Sequence, residues 1–408
     1  VDLYQGHRAW ELGAFDEARA AFARAAGHGD PRGWLLLGLM HARGEGAPPD
    51  HAQAARCYEQ AHERGSAAAA RALAALYAQG AGVSQDFSRA RDLYAHAAGL
   101  GDLEAKHMLG VMNARGEGGE PDFMVAARWW GEAARLGHPT SMLYLGHMYL
   151  HGDGLPADPL RAARFYLDAA LAGEPDAASH LGELHDDLLA LSAPSSPSAG
   201  EACYLLGRCR DVGLDEDPLQ AELFYKRAVS LDHRAARLGL AGLLRRRQAD
   251  AGEVARLYAE AAQAGDAQAQ HNLGFMHARG VGVEKDLGRA LGWFREAAKQ
   301  GLAYAQLDLA ILLWTLERDE ADRDEGRAWL ELAAKQGLGA AMLWLGQEVE
   351  EDEEAARWLF CALDGGVEGA EEALRARLPR MSPQARLRAE RASGCLGAKA
   401  ARLLLAMV

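Results

Sequence analysis

The stretch Ala269–Gly301 reads AQHNLGFMHARGVGVEKDLGRALGWFREAAKQG, and its spacing decides the fold. Ala269, Leu273 and Gly274 lie on one side of a 3.6-residue helix, and Gly280-Val281-Gly282 breaks it. Ala290, Trp293, Phe294, Ala297 and Ala298 line one side of a second helix, which Gly301 stops. The stretch is a helix pair, A and B, joined by a Gly-x-Gly turn.

The same pattern runs outward in both directions. Gly38, Ala74, Gly110, Gly146 and Gly182 are spaced 36 residues apart, and Gly274, Ala310 and Gly346 resume that spacing. Six and eight residues later stand Gly44 and Gly46, Gly80 and Gly82, Gly116 and Gly118, and Gly152 and Gly154. Gly29, Gly65, Gly101, Gly137, Gly173, Gly301 and Gly337 close the units. Pro31, Pro139 and Pro175 stand two residues after a closing glycine, where helix A begins and a missing N–H costs little. A fixed period of this kind marks a solenoid. The expected fold is therefore an all-α, right-handed α-solenoid of about eleven helix-turn-helix repeats of 36 residues.

Composition fits that reading. With 46 Gly, only 13 Pro and 7% aromatic residues, the chain suits tightly packed helices and glycine turns. A net charge of −14 disfavours a polyanion partner, because nucleic-acid binding depends on lysine and arginine neutralising phosphates. No apolar run approaches the roughly 18 to 20 residues of a membrane span. The five cysteines show no C-x-x-C spacing, so neither a zinc ribbon nor a disulfide framework is expected. Arginine outnumbers lysine 38 to 6, which with so much Ala and Gly points to a GC-rich, bacterial genome.

The pattern A-x4-L-G-x5-G-x-G, then Asp, then A-x2-W/Y/F-x3-A-A-x2-G, resembles the Sel1-like repeat, a relative of the tetratricopeptide repeat. The opening, Gly6 to Ala25, has the shorter loop of an ordinary tetratricopeptide repeat. The resemblance implies an adaptor or assembly factor that binds another protein and is not an enzyme. It further implies export to the bacterial cell envelope or periplasm after signal removal, with the cytoplasm as the alternative. Some relatives it resembles are immunity proteins that inhibit a secreted toxin, including phospholipase-type toxins of type VI secretion. The alternatives are a cell-envelope assembly adaptor and, from another class, a cell-wall or β-lactam ligand binder or enzyme. Relatives linked to β-lactam binding carry a cysteine pair in every repeat, which this chain lacks.

The period fails once. After Gly182 no Gly-x-Gly follows, and Leu191 to Gly200 is rich in Pro and Ser. Residues 1–190 are expected to form one array, 191–200 a loop or hinge, 201–370 a second array and 371–408 a helical cap. Helix B is missing after 190, and either a hinge between two arrays or a longer loop within one superhelix accounts for that. Ser382-Pro383 is a helix-start signal, and Lys399 to Ala406 is expected to be a short amphipathic helix.

Fifteen histidines invite a metal, yet His41, His185 and His277 occupy the register position of Tyr77, Asn113 and Tyr149 and read as packing residues. His180 with Asp186 and Asp187 falls short of the three or four converging ligands a metal needs. The acidic runs Asp319 to Glu325 and Glu348 to Glu354 fall where A-to-B loops are expected and read as solvated loops. No cofactor or metal is expected, and no catalytic residue.

What remains is a surface. Tetratricopeptide geometry puts the least repetitive positions of helix A on the inner, concave face. There they supply Arg43, Arg71, His107, Arg115, His147, His151, His271, Phe275, Arg279, Tyr304 and Trp314 as the expected partner-binding residues. Arg43, Arg115 and Arg279 share one register position, suited to carboxylates of a partner, or else to ion pairs with nearby loop acids. Phe275, Tyr304, Leu307, Ile311 and Trp314 form an apolar patch, suited to anchoring an interface or to packing on the next repeat.

Overall fold

The computed structural model describes residues 2–212, 216–316, 320–382, 384–386 and 388–389, in two units, Val1–Phe224 and Tyr225–Val408. Among the described residues every regular element is a helix. In the first unit α1 (Asp2–Glu11) pairs with α2 (Phe15–Gly27), α3 (Pro31–Arg43) with α4 (His51–His62), and α5 (Ala67–Gln79) with α6 (Phe87–Gly99). There follow α7 (Leu103–Arg115) with α8 (Phe123–Arg135), α9 (Pro139–His151) with α10 (Pro159–Leu171), and α11 (Ala177–Glu183) with α12 (His185–Leu191). Next come α13 (Ala199–Val212) and α14 (Pro218–Ser230), which contains the dividing point. The second unit continues with α15 (Arg234–Arg246) and α16 (Ala251–Gln263), α17 (Ala267–Arg279) and α18 (Leu287–Lys299), and α19 (Ala303–Leu316) and α20 (Glu320–Lys335). It ends on α21 (Gly339–Glu348), α22 (Asp352–Asp364), α23 (Ala370–Arg377) and a 3-10 turn at Leu378–Arg380. None of the described helices is long and apolar enough to cross a membrane.

The recurring residues each have a mechanical reason. A Cβ at Gly110 would stand 2.3 Å from the Trp130 indole nitrogen, and one at Gly146 would stand 2.4 Å from the Tyr166 ring. At Gly38, Gly110, Gly146 and Gly274 the residue that recurs every 36 positions is small because an aromatic ring of helix B lies directly on it. Burial pushes Tyr58, Tyr94 and Tyr166 up to about 12, so these phenols stay protonated and act as packing groups. In the turn, Gly82 has φ +70°, and a Cβ there would lie 2.3 Å from the His51 carbonyl carbon. The second glycine thus lets each loop rest on the start of the preceding helix B, in a conformation other residues resist.

The aspartate before helix B does two things at once. The side chains of Asp50, Asp86, Asp122, Asp158 and Asp286 accept the backbone N–H three residues on, at 2.9–3.0 Å. Their own N–H groups donate to the carbonyls of His41, Tyr77, Asn113, Tyr149 and His277 at 2.8–2.9 Å. One residue therefore caps helix B and fastens the loop to helix A.

Of residues 191–200, Leu191 ends α12 and Ala199 opens α13, and 192–198 between them form turns and loop inside the first unit. The short α12 stands where a full helix B is absent, and Leu188, Leu205 and Leu206 are buried in one cluster with Tyr166 and Leu167 of α10. The acidic runs are a correction. Glu320 to Glu325 is the first part of α20, and the second run leads straight into α22. Carboxylates suit the positive end of a helix, and these also find arginines. Glu325 accepts from Arg295 Nε and Nη2 at 3.0 and 2.9 Å, and Glu353 accepts from Arg388 Nε and Nη2 at 3.0 and 2.8 Å. Of the expected C-terminal signals, Ser382 Oγ accepts the Ala385 N–H at 3.2 Å, whereas Pro383 and Lys399 to Ala406 lie outside the described residues.

Candidate protein-binding face

The residues expected on the inner face meet different fates. In the first unit Arg43 and Arg115 are exposed at the ends of α3 and α7, each facing an acid two residues on, Glu45 at 3.8 Å and Glu117 at 3.6 Å. Arg43 also lies over the Trp10 ring at 5.9 Å. Arg71 reaches across to the next repeat and pairs with Asp102 at 3.0 Å. That aspartate also caps α7 through the Ala105 N–H at 2.8 Å, so Arg71 reinforces a helix start.

His107 is a correction to the open-face expectation, because only 7% of it is exposed. Trp130 donates its indole N–H to the His107 carbonyl at 3.2 Å, and His107 stacks on His138 with centroids 4.7 Å apart. Burial, then the neighbouring His138, pushes the His107 imidazole down to about 4. His147 is half-buried, 3.1 Å from the Tyr166 hydroxyl, and lies edge-on to His180 at 4.5 Å. Burial, with His180 and His151 beside it, holds its pKa below the ordinary value. His151, exposed, stacks on His147 at 6.4 Å. Among the described residues no three of His, Cys, Asp and Glu group as metal ligands would.

In the second unit His271 is held by Asp308 at 2.7 Å, across to the next repeat. Trp314 is the other correction. Its ring covers Gly326 of α20, where a Cβ would lie 2.7 Å from the indole nitrogen, and that nitrogen donates to the Arg323 carbonyl at 3.1 Å. With Ile311 it packs, partly buried, against a core cluster that contains Leu307, because Gly326 of α20 leaves room for its ring. Phe275 and Tyr304 are exposed by 40% and 60%. The Arg279 guanidinium lies 4.7 Å over the Phe275 ring. Two residues beyond Arg279 stands Val281, where Arg43 and Arg115 have an acid.

Other surfaces are less chemically pointed. A groove of about 800 Å³ opens between α16 and α18, with Gly252, Ala255 and Ala259 on one wall and Trp293 on the other. A smaller one of about 440 Å³ occupies the same register beside α8, where Phe165 takes the place of Trp293. Such grooves arise from the repeat itself. Ser141, His138 and Glu104 lie in line, as a hydrolytic triad would, but Ser141 is fully buried and His138 Nδ1 also accepts the Ser141 backbone N–H.

Sequence reasoning passed over several residues that join repeats. Gln300, just past α18, donates to Gln270 of α17 at 2.8 Å, and Gln336, just past α20, to Gln306 of α19 at 2.9 Å. The recurrence of Gln four residues before Gly274 and Ala310 was the signal. His138 was signalled by standing where Asp102 and Asp266 cap their helices.

The family model for the Sel1 repeat matches residues 35–66, 67–102, 103–138, 139–174, 200–233, 267–302, 303–338 and 337–366. No curated protein matches the chain. Among solved structures, c5321, a protective antigen of uropathogenic Escherichia coli strains displaying an SLR fold, is 26% identical over 96% of this chain and 89% of its own, with a TM-score of 0.48. A Sel1 repeat protein from Oxalobacter formigenes is 24% identical over 72% of this chain and 98% of its own, with a TM-score of 0.43. Yeast Tom70 is 16% identical over 94% and 97%, with a TM-score of 0.41. With matched segments following one another through most of its length, the chain belongs to the Sel1 repeat family.

Proposed function

We propose that the chain is a protein-binding scaffold that grips its partner on the helix-A face, and that Phe275, Arg279 and Tyr304 are the principal anchors. The observation that carries this reading is Arg279 lying over an exposed Phe275 where sister repeats pair the same arginine with an acid. A cation over an exposed aromatic face suits a partner segment with a carboxylate next to an apolar side chain. Arg43, Arg115, His147 and His151 occupy helix-A positions of the first unit.

Affinity capture with the full chain identifies the partner. Against it, Phe275→Ala, Arg279→Glu and Tyr304→Ala are each expected to weaken binding by at least about tenfold, as interface anchors do. Arg289→Glu, at an exposed arginine on α18, is the control and is expected to leave affinity unchanged. Unchanged affinity in all three anchor variants would remove the reading.

A narrower reading makes the partner a secreted toxin, phospholipase-type and delivered by type VI secretion, with this chain as its immunity protein in the bacterial cell envelope. The family resemblance and the acidic charge, which favours steering to a basic partner, support it. A stoichiometric complex that abolishes the toxin's activity is the expected result. Survival of toxin-exposed cells lacking this gene would leave the broader scaffold reading standing and remove the narrower one.

A further inference from the structure

Helix α9 starts differently from its neighbours. Asp30, Ser66 and Asp102 cap α3, α5 and α7 with an oxygen, whereas His138 caps α9 with an imidazole nitrogen. His138 Nδ1 accepts the Ser141 N–H at 3.1 Å and lies 3.0 Å from Ser141 Oγ, which is 2.9 Å from His107 Nδ1. His138 Nε2 lies 3.2 Å from Glu104. One assignment of protons satisfies every contact. His107 Nδ1–H donates to Ser141 Oγ, the Ser141 O–H donates to His138 Nδ1, and His138 Nε2–H donates to Glu104. The relay ties α7 to α9 with His107 and Ser141 both buried.

We propose that this relay is a pH-responsive joint between α7 and α9, closed while both imidazoles are neutral and opened when His138 takes up a proton at Nδ1. The proton comes from solvent and forms an N–H bond at Nδ1, consuming the lone pair that the Ser141 N–H and O–H both used. Two donors then lose their acceptor, and the first turn of α9 loses its cap. A second proton on His107 would put two cations in rings stacked 4.7 Å apart, with Glu104 as the one carboxylate bonded to the relay. The oxygen caps of α3, α5 and α7 keep their lone pairs over the same pH range.

The other groups on the packed helices are already engaged. From α8, Trp130 faces the relay with its indole N–H on the His107 carbonyl, and Tyr144 of α9 stacks on that indole at 4.8 Å. Lys106 pairs with Glu132 at 2.5 Å, Arg71 of α5 with Asp102 at 3.0 Å, and Arg135 with the Gly131 carbonyl at 3.2 Å. Glu174 accepts from Thr140 at 2.7 Å, and His147 contacts the Tyr166 hydroxyl. The depressed pKa of His107 agrees with this geometry, since burial and His138 both oppose its charge.

Hydrogen exchange of the full chain, read by mass spectrometry on peptides covering the first turns of α5 and α9, tests the joint and does not depend on any partner. Between about pH 7.5 and pH 5, after correction for intrinsic rates, α9 is expected to exchange at least about tenfold faster, and α5 to change by less than about twofold. His138→Asp restores the cap used by sister repeats and is expected to bring α9 down to the behaviour of α5. His138→Asn, with an amide oxygen and no titratable group, serves if the aspartate variant does not fold. An equal acid response in both helices of the wild-type chain, or an undiminished α9 response in a folded His138 variant, would overturn the proposal.

Discussion

At Gly110 a single hydrogen in place of a methyl decides whether two helices meet. A methyl there would meet the Trp130 ring, so Gly110→Ala is expected to destabilise the chain by about 1–3 kcal/mol in denaturant titration, the usual cost of overpacking a close helix contact. His107 has a pH signature of definite sign. Its folded pKa of about 4 lies below the ordinary value of 6.5, so the unfolded chain binds the proton first as pH falls. Stability from this group is complete above about pH 6.5 and is lost as pH falls to about 4, a change on the order of 3 kcal/mol. His107→Gln is expected to flatten that part of the pH dependence, and an unchanged slope in urea melts would rule out His107 as its source. Glycines were legible in the sequence because their spacing repeats. The burial of His107 was not, because it depends on Ser141 and His138 in the neighbouring repeat, a contact between positions that no period within one repeat reveals.

Helix starts and stops carry the next level. The aspartate before helix B recurs because it caps the helix and fastens the loop, so Asp122→Ala is expected to cost about 1 kcal/mol or somewhat more in the same titration. A loss below a few tenths of that would mean water replaces both bonds. Helix boundaries of the regular repeats followed from Gly, Pro and Asp alone. The start of α20 did not, because a run of acids reads as solvated loop until its partners are known. Glu325 meets Arg295 of the preceding helix B through two hydrogen bonds, and Arg295 beside it holds its carboxyl below the usual carboxylate range. Proline and serine at 191–200 likewise report where helix is absent, and say nothing of the leucines of α12 and α13 buried on either side.

Within each unit the described residues form a succession of helix pairs, and each pair touches chiefly its neighbours, which is why a sequence period reads out the fold so directly. The partner-binding face is harder to read, since the same helix-A positions either join repeats or stay open. Arg71, His271 and Trp314 found partners within the chain, and Phe275, Arg279 and Tyr304 remain outward in the second unit. The most direct measurement is hydrogen exchange of the full chain with and without its captured partner. Protection is expected on peptides of α17 and α19, with α16, α18 and α20 unchanged. Protection confined to α16, α18 and α20 would contradict the assignment of binding to the helix-A face.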